Sequence, residues 1–426
     1  MTESNRTNAQ FHCPNEPAPI SRAVHLARLA ACFPKCRRCP HRADTADFSP
    51  KLAKRLAEAY RDVPSPAAFD DEGISGVLLN ELTPEVARRA AVALGLLLRE
   101  QADAGSSEPD WPTVLLGGDG RRATAPLVAA AAEGLRFAGC HVADIGQATS
   151  GSMSFALARS AADGGLLVGN PTDRPHHAGL RFWDAAGPLS RGTGLDRLES
   201  LFDGPLDRPT RRFGSIGHVT FAADYTAGLA DYYHALRPLV VVLATNCRPL
   251  VDCVRRLSQS LECRFVYDAS IALRDQIADN RAHLAVSIDG NGETCHALDE
   301  RGATVPDPRL LRLVARHLID EREPPREPNL PKPIVVLEKE TPTETETSLA
   351  RLGWQTVRST GRRAAMHRTM INERALLGGG PSGRFWYAGA GHVAPDALVT
   401  LSLLLVILSQ SDQPFSAVLD RMVEPE

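Results

Sequence analysis

Apolar and polar positions along most of this 426-residue chain follow two periods, that of an amphipathic helix and that of a buried strand. After Thr83-Pro84-Glu85, apolar residues recur at helical spacing between Val86 and Leu97. This pattern predicts a helix with a capping threonine and a first-turn proline. The apolar run Val114–Leu116 ends in Gly117-Gly118-Asp119-Gly120, which predicts a short buried strand followed by a turn.

The alternation continues to the end of the chain. Further predicted strands lie at His141–Ile145, Leu166–Val168, Leu239–Leu243, Cys263–Tyr267, His283–Ile288, Ile334–Glu338 and Thr356–Arg358, and further helices at Ala125–Ala138, Ser152–Ala161, Pro249–Leu261, Thr345–Leu352 and from Ala394. Strands that alternate with helices are joined by crossovers, which produce parallel or mixed sheets. We therefore predict an α/β fold.

Two polar, Pro- and Arg-rich stretches divide this pattern, at about 203–216 and 320–333. The second contains five prolines and alternating charges, which is typical of a linker. We predict an N-terminal extension over 1–65 and three consecutive α/β domains over 66–210, 211–322 and 333–426. Each domain is close to the usual size of an independent core.

Composition excludes several classes of function. The net charge is only −3 and aromatic residues are sparse, so we expect no nucleic-acid partner. The longest apolar run, Ala397–Leu408, is too short to span a membrane and predicts a buried helix. The N-terminus lacks the apolar segment of a signal peptide, and we expect a cytoplasmic protein with reduced cysteines.

Five short segments follow one another in a recognisable order. They are Phe69–Gly76, Gly117–Arg121, Gly169–Arg174, Asp289–Thr294 and Gly378–Arg384. In this order and on these elements, the chain resembles the phosphoglucomutase/phosphomannomutase (α-D-phosphohexomutase) family over about residues 66 to 420. The resemblance implies three phosphohexomutase-type α/β domains with mixed sheets, preceded by the Cys-rich extension.

The resemblance assigns the phosphoserine loop of the family, Thr-Ala-Ser-His-Asn-Pro, to Gly169–Arg174. The nucleophilic serine corresponds to Pro171, which has no hydroxyl and cannot accept a phosphoryl group. Thr172 is a weak substitute, and His176 or His177 is another candidate phosphoryl carrier. The competing interpretation, which we favour, makes Thr172 a turn residue and the histidines solvated loop residues, because a displacement of one residue exceeds what reaction geometry tolerates.

The metal loop of the family, Asp-Gly-Asp-x-Asp-Arg, corresponds to Asp289–Thr294. Asn291 and Glu293 replace two of the three aspartates that hold Mg²⁺, so the resemblance implies a weakened Mg²⁺ site at Asp289, Asn291 and Glu293. An equally good interpretation is a turn at the end of a strand, which Asp-Gly and Asn-Gly pairs form unaided.

The resemblance also implies a cleft that binds a phosphorylated sugar or another anion. Its expected substrate-binding residues are Arg121, Arg174, Arg181, Ser382 and Arg384. The sugar-reading glutamate of the family corresponds to Gly380. The alternative is that an arginine-rich chain places some arginines there by chance, and that Asp119 and Arg121 form a structural ion pair. The phosphate-clamping fourth domain of the family has no counterpart, so we expect domain IV to be absent.

Four cysteines lie in the first forty residues: Cys13, Cys32, Cys36 and Cys39. Four thiolates suit tetrahedral Zn²⁺ or an iron–sulfur cluster, with His12 and His41 as alternative ligands. The competing interpretation is a set of free cysteines in a mobile tail.

These observations lead to one preferred function and two alternatives. We expect a phosphohexomutase-like pseudoenzyme of carbohydrate metabolism that binds a phosphosugar in a regulatory or scaffolding role. The first alternative is an active Mg²⁺-dependent mutase, an isomerase, with an altered nucleophile. The second is a metal-bearing interaction module that docks a protein partner on the face left by the missing fourth domain.

Overall fold

The computed structural model describes residues 10–13, 18–31, 33, 36, 39–59, 69–103, 111–172, 174–204, 212–259, 261–267, 272–321, 331–389 and 391–421. In the N-terminal extension, β1 (Gln10–Phe11) pairs antiparallel with β2 (Ile20–Ser21), and two helices follow, α1 (Arg22–Ala30) and α2 (Pro50–Ala59). Leu29, Cys36 and Leu56 form the small buried cluster of this segment.

The first large sheet has seven strands. They are β3 (Gly73–Val77), β4 (Thr113–Gly118), β5 (His141–Gln147), β6 (Gly164–Gly169), β7 (His177–Asp184), β8 (Gly187–Pro188) and β9 (Ile216–His218). The order is β3-β7-β6-β4-β5-β9, with β8 paired to β7. Strands β6, β4, β5 and β9 run parallel, whereas β7 lies antiparallel between β3 and β6. Its helices are α3 (Pro84–Asp103), α4 (Ala125–Phe137), α5 (Ser150–Arg159) and α6 (Leu195–Asp203).

The second sheet has five strands in the order β11-β10-β12-β13-β14. Its elements are α7 (Ala222–Leu229), a 3-10 turn (Ala230–Tyr233), β10 (Val240–Thr245), α8 (Arg248–Leu257), β11 (Arg264–Val266), α9 (Leu273–Asn280), β12 (Leu284–Ile288), β13 (Cys295–Asp299), β14 (Thr304–Val305) and α10 (Asp307–Asp320). Strands β11, β10 and β12 are parallel, and β13 and β14 extend the sheet antiparallel.

The third sheet repeats this topology in the order β16-β15-β17-β18-β19. Its elements are β15 (Ile334–Glu338), α11 (Thr343–Arg351), β16 (Gln355–Ser359), α12 (Arg363–Glu373), β17 (Leu377–Gly379), β18 (Trp386–Gly389), β19 (His392–Pro395), α13 (Ala397–Ser409) and α14 (Phe415–Asp420). The three mixed sheets confirm the predicted α/β fold class.

Helix α13 carries the long apolar run and is buried along most of its length. It begins at Ala397, because the side chain of Asp396 accepts hydrogen bonds from the N–H groups of Leu398 and Val399. The sequence pattern predicted a start at Ala394, but that residue pairs in β19. Buried residues of the second and third sheets form one continuous apolar cluster around α13. Within the described ranges, no helix combines the length and the apolarity needed to cross a membrane.

The antiparallel strands β7, β13, β14, β18 and β19 complete the sheets and were not predicted. Strands β14, β18 and β19 have only two to four residues, and β7 and β13 interrupt their apolar residues with His, Arg or Asp, so the apolar pattern is weak. The parallel strands β4, β6, β12 and β17 end at the loops that carry the recognised segments. Carboxyl ends of parallel strands are the usual place for ligand-binding loops in α/β sheets.

Candidate functional site

The loop after β6 is a tight turn organised by a buried asparagine. The side-chain oxygen of Asn170 accepts hydrogen bonds from the N–H and the hydroxyl of Thr172, at 3.1 and 2.9 Å. The Thr172 hydroxyl in turn accepts one from the N–H of Arg174 at 3.1 Å. Pro171 packs so closely on Gly179 that a Cβ there would lie 2.7 Å from its Cδ. Thr172 is therefore held as a turn-forming residue.

Arg121 supports this loop from the end of β4. Its Nε donates to Asp119 Oδ2 at 2.6 Å, and its Nη1 donates to the carbonyl oxygens of Pro175 and His177, both at 2.9 Å. Asp119 also accepts a hydrogen bond from the Thr124 hydroxyl at 2.6 Å. These contacts give Arg121 a structural task, since its Nε and Nη1 donors are already used.

The loop after β12 packs against the Asn170 turn. Asp289 Oδ1 accepts a hydrogen bond from the N–H of Glu293 at 2.8 Å, and the N–H of Gly290 donates to the carbonyl oxygen of Thr172 at 3.4 Å. Asn291 is buried, and a Cβ on Gly169 would lie 2.1 Å from its Oδ1. Burial and the nearby charge of Glu293 raise the pKa of Asp289 to about 6. This carboxyl therefore loses much of its charge slightly below neutral pH.

Glu293 lies between two guanidiniums. Its Oε1 is 3.3 Å from Nε of Arg363 and accepts a hydrogen bond from the Ser150 hydroxyl at 2.5 Å. Its Oε2 is 3.3 Å from Nε of Arg384. Burial raises the pKa of Glu293, but the charges of Arg363 and Arg384 outweigh it and lower that pKa. The carboxylate is thus ionised and paired on both oxygens.

Glu72 contacts the same two arginines, Arg363 and Arg384. Both of its oxygens accept hydrogen bonds from the Nη atoms of Arg384, each at 2.7 Å, and Oε1 also accepts one from the N–H of Arg363 at 3.0 Å. Burial disfavours its charge, but the charge and hydrogen bonds of Arg384 prevail and lower the pKa of Glu72 from 4.5 to about 2. The guanidinium of Arg363 also stacks on Trp183, 4.6 Å from the ring centre.

Glu72, Glu293, Arg363 and Arg384 form what we call the central ion network. Glu72 precedes β3 in the first sheet, Glu293 follows β12 in the second, and both arginines belong to the third. All four are largely or fully buried, so the two carboxylates and two guanidiniums must neutralise one another. The network therefore joins the loops of all three sheets through charge.

The loop after β17 is held by a carboxylate that the sequence did not single out. Glu338, at the end of β15, accepts hydrogen bonds from the N–H and the hydroxyl of Ser382. A Cβ on Gly380 would lie 2.7 Å from Glu338 Oε2, so Glu338 fills the space beside this glycine. Burial raises the pKa of Glu338. No local motif marks Glu338 or Arg363 as a site residue, and the recognised segment Phe69–Gly76 gives Glu72 no role of its own; only their positions across the fold do.

The expected substrate-binding residues thus have different surroundings. Arg181 is buried, and its Nη1 lies 3.2 Å from Asp70 Oδ2. Arg384 is part of the central ion network, and the Ser382 hydroxyl is bonded to Glu338. Arg174 lies on the surface beside the Asn170 turn. These loops lie together, but many of their hydrogen-bonding groups already have partners inside the protein.

The N-terminal cysteines give no support to a metal centre. Cys13, Cys36 and Cys39 are buried, and Cys32 lies outside the described residues. In the part of the chain that the structure describes, no three histidine, cysteine, aspartate or glutamate side chains are placed to hold a metal ion. The predicted Zn²⁺ or iron–sulfur cluster is not supported.

Known proteins resemble this chain over most of its length. Residues 66–203 match the family model described as phosphoglucomutase/phosphomannomutase, alpha/beta/alpha domain I. A probable phosphoglucosamine mutase from Methanopyrus kandleri is 24% identical over 377 residues, which cover 82% of this chain and 78% of the relative. The phosphoglucosamine mutase of Acaryochloris marina is 26% identical over 389 residues, covering 83% and 79%.

A solved structure extends the likeness to the fold. A phosphoglucomutase/phosphomannomutase family protein from Burkholderia thailandensis superposes with a TM-score of 0.69 at 21% identity, covering 85% of this chain and 81% of its own. Residues 66–203 thus carry domain I of the phosphoglucomutase/phosphomannomutase (α-D-phosphohexomutase) family, and more than four fifths of the chain is similar in sequence to mutases of this kind.

Proposed function

We propose that this protein is a non-catalytic member of its family that binds a phosphorylated sugar or a similar anion in a regulatory or scaffolding role. The observation that carries the proposal is the central ion network. It places paired guanidiniums and carboxylates where the family resemblance puts the metal loop and the sugar loop. A site that is internally neutralised in this way offers little to a phosphoryl group in transfer.

The position of the nucleophile supports the same proposal. Pro171 has no hydroxyl. The neighbouring hydroxyl of Thr172 is engaged in the turn with Asn170 and Arg174. A nucleophile requires a free lone pair, a proton acceptor and alignment with the reacting phosphorus. Thr172 would have to leave its turn to meet these needs.

The residues of the metal loop do not fit Mg²⁺. This ion requires several oxygen ligands at about 2.1 Å in near-octahedral geometry. Glu293 already faces Arg363 and Arg384 at 3.3 Å, and a dication beside it would be repelled by both guanidiniums. We therefore derive no catalytic step through a metal ion and expect a protein that is indifferent to Mg²⁺.

The choice of ligand follows from the relatives. Two relatives that match most of the chain are phosphoglucosamine mutases, so glucosamine 6-phosphate and glucosamine 1-phosphate are the first ligands to test. Arg174 lies exposed beside the loop of the missing nucleophile and could contribute charge to phosphate recognition. A protein that binds these sugars without converting them would report on their concentration.

The experiment combines turnover with binding. The protein is incubated with glucosamine 6-phosphate, Mg²⁺ and a hexose 1,6-bisphosphate, and the products are followed by phosphorus NMR. Thermal unfolding is then measured with each sugar phosphate, with and without Mg²⁺. We expect no interconversion, and a higher unfolding midpoint that corresponds to about 2.7 kcal/mol when the ligand is at a hundredfold excess over Kd.

Two outcomes would contradict the proposal. Interconversion that is lost in a Thr172→Val variant would identify an active mutase with an altered nucleophile. An unfolding midpoint that no sugar phosphate changes would reject the binding role.

A further inference from the structure

A polar cavity of about 460 Å³ lies beside the Asn170 turn, between the first sheet and helix α8 of the second. The polar groups that matter for its chemistry are three arginines, two amides and one carboxylate: Arg121, Arg248, Arg255, Gln147, Asn246 and Asp252. The cavity is large enough for a monosaccharide phosphate, since small-ligand sites begin at about 300 Å³. It lies to one side of the central ion network and includes none of its four residues.

Two of these arginines have donors that the fold leaves available. Among the described residues, Arg248 makes a single long hydrogen bond, 3.5 Å from Nη1 to the carbonyl oxygen of Gly120. In the described part of the chain, Arg255 pairs with the Asp252 carboxylate at 3.8 Å, and 62% of the Arg255 side chain is exposed. Its guanidinium stacks on Tyr267, 5.3 Å from the ring centre, which orients it without using its N–H groups. Both arginines can therefore donate to a ligand.

The start of α8 adds to the positive potential of the cavity. Residues just before and within its first turns line the wall. Its N-cap is Cys247, a thiol whose pKa burial raises, so it carries no charge, and the first turn carries no acidic residue. The positive end of the helix dipole is thus not neutralised within the helix, and it acts together with the guanidiniums of Arg248 and Arg255.

We propose that this cavity, the α8 cavity, is the place where the protein binds its anion, and that the preferred ligand is a phosphorylated amino sugar. The inference rests on the proposed function and assigns its site. Arg248 and Arg255 would hold the phosphate as bidentate donors. Asp252 supplies one negative charge to the lining, which suits a ligand that carries an ammonium group as well as a phosphate.

The arginines of the central cleft have partners within the protein. Arg181 and Arg384 pair with buried carboxylates, and Arg121 is bonded to the backbone of the Asn170 turn. Arg121 contributes its charge to the α8 cavity but few of its donors. The donors that remain open lie to one side of the central ion network, where the first sheet faces helix α8 of the second.

The test is isothermal titration calorimetry with glucosamine 6-phosphate, glucose 6-phosphate and inorganic phosphate. The full chain is compared with an Arg248→Gln/Arg255→Gln variant and with Arg264→Gln as a control. Arg264 is exposed on β11 of the same sheet and is bonded to Asn280, away from the cavity. We expect the double variant to bind glucosamine 6-phosphate about ten- to a hundredfold more weakly, as the loss of charge-assisted hydrogen bonds implies, and the control to bind as the wild type does.

The outcomes of the titration test separately where the ligand binds, whether a sugar phosphate binds at all, and whether an amino sugar is preferred. If the wild type binds glucosamine 6-phosphate and the double variant binds it equally well, the α8 cavity is not the site, although the proposed function stands. If the wild type binds none of the three ligands, the proposed function itself fails. If glucose 6-phosphate binds as tightly as glucosamine 6-phosphate, or if an Asp252→Asn variant discriminates between them as the wild type does, the preference for an amino sugar is wrong.

Discussion

Replacing Glu72 by glutamine tests whether the central ion network holds the three sheets together. The substitution keeps the size of the side chain and removes one negative charge. Both oxygens of Glu72 accept hydrogen bonds from Arg384 at 2.7 Å. In the variant, an amide N–H₂ faces one of these guanidinium donors, and Arg384 keeps only the more distant partner Glu293. A buried positive charge is then poorly compensated.

Two estimates of the lost folding free energy agree, one from the pKa of Glu72 and one from buried ion pairs in other proteins. The pKa of Glu72 falls from 4.5 to about 2 on folding, which at about 1.36 kcal/mol per pKa unit makes ionised Glu72 worth about 3 kcal/mol of folding free energy. Removing one partner of a buried ion pair costs about 3–5 kcal/mol in other proteins. We therefore expect Glu72→Gln to lower the free energy of unfolding by about 3 kcal/mol at neutral pH.

The measurement is urea unfolding followed by tryptophan fluorescence. Trp183 is a suitable reporter because it stacks under Arg363 of the network. The matched control is Glu100→Gln, which makes the same chemical change at the exposed pair of Glu100 and Arg197. Exposed pairs contribute little, so we expect no measurable change in the control.

The pH dependence provides a second readout. A carboxyl with a lowered pKa stabilises the fold above its unfolded pKa, and this contribution disappears as the pH falls from 4.5 towards 2. The stability of Glu72→Gln should therefore decline less than that of the wild type over this interval. The reasoning is refuted if Glu72→Gln costs no more than Glu100→Gln, or if the two pH profiles have the same slope.

Three further predictions concern other contacts between elements. Gly151→Ala places a Cβ 2.2 Å from Asp396 Oδ2 and should destabilise the protein by about 1–3 kcal/mol in urea unfolding; an unchanged midpoint would mean that α5 and α13 are not in contact. Tyr225→Phe removes a 2.7 Å hydrogen bond to Asp396 and should cost about 1–3 kcal/mol. Burial raises the pKa of Asp396 to about 6, and a hydrogen bond to an ionised carboxylate is the stronger one. The stability lost in Tyr225→Phe should therefore increase as the pH rises through about 6, and equal losses at pH 5 and pH 8 would contradict this prediction. The hydrogen bond to Asp307 raises the pKa of His296, so this pair stabilises the fold fully below the ordinary histidine pKa and ceases to do so as the pH rises through the pKa of the folded state. An NMR titration of the wild type should give a His296 pKa above the ordinary value. If the His296 pKa stays raised in an Asp307→Asn variant, Asp307 is not its cause.

Local pattern was sufficient for the fold class and for the identity of the loops. The central parallel strands β4, β6, β10, β12 and β15 are short runs of largely buried apolar residues, and such runs stand out in any sequence. The recognised loops lie where those strands end, because turn formers such as Asp289-Gly290 follow them directly. The absence of a hydroxyl at Pro171 is also a property of one position and needs no structure to be read.

Tertiary structure alone decided what the polar residues of these loops do. Glu72 and Arg384 are 312 positions apart, so nothing near either residue indicates its partner. A charged side chain in a loop has the same local signature whether it waits for a ligand or pairs with another buried charge, since the difference lies in distance and burial. The sequence therefore indicated loops that resemble those of the phosphohexomutases, with a proline, Pro171, where the resemblance expects the nucleophile. Folding determined that the charges of those loops neutralise one another in the interior and that open arginine donors lie at the α8 cavity.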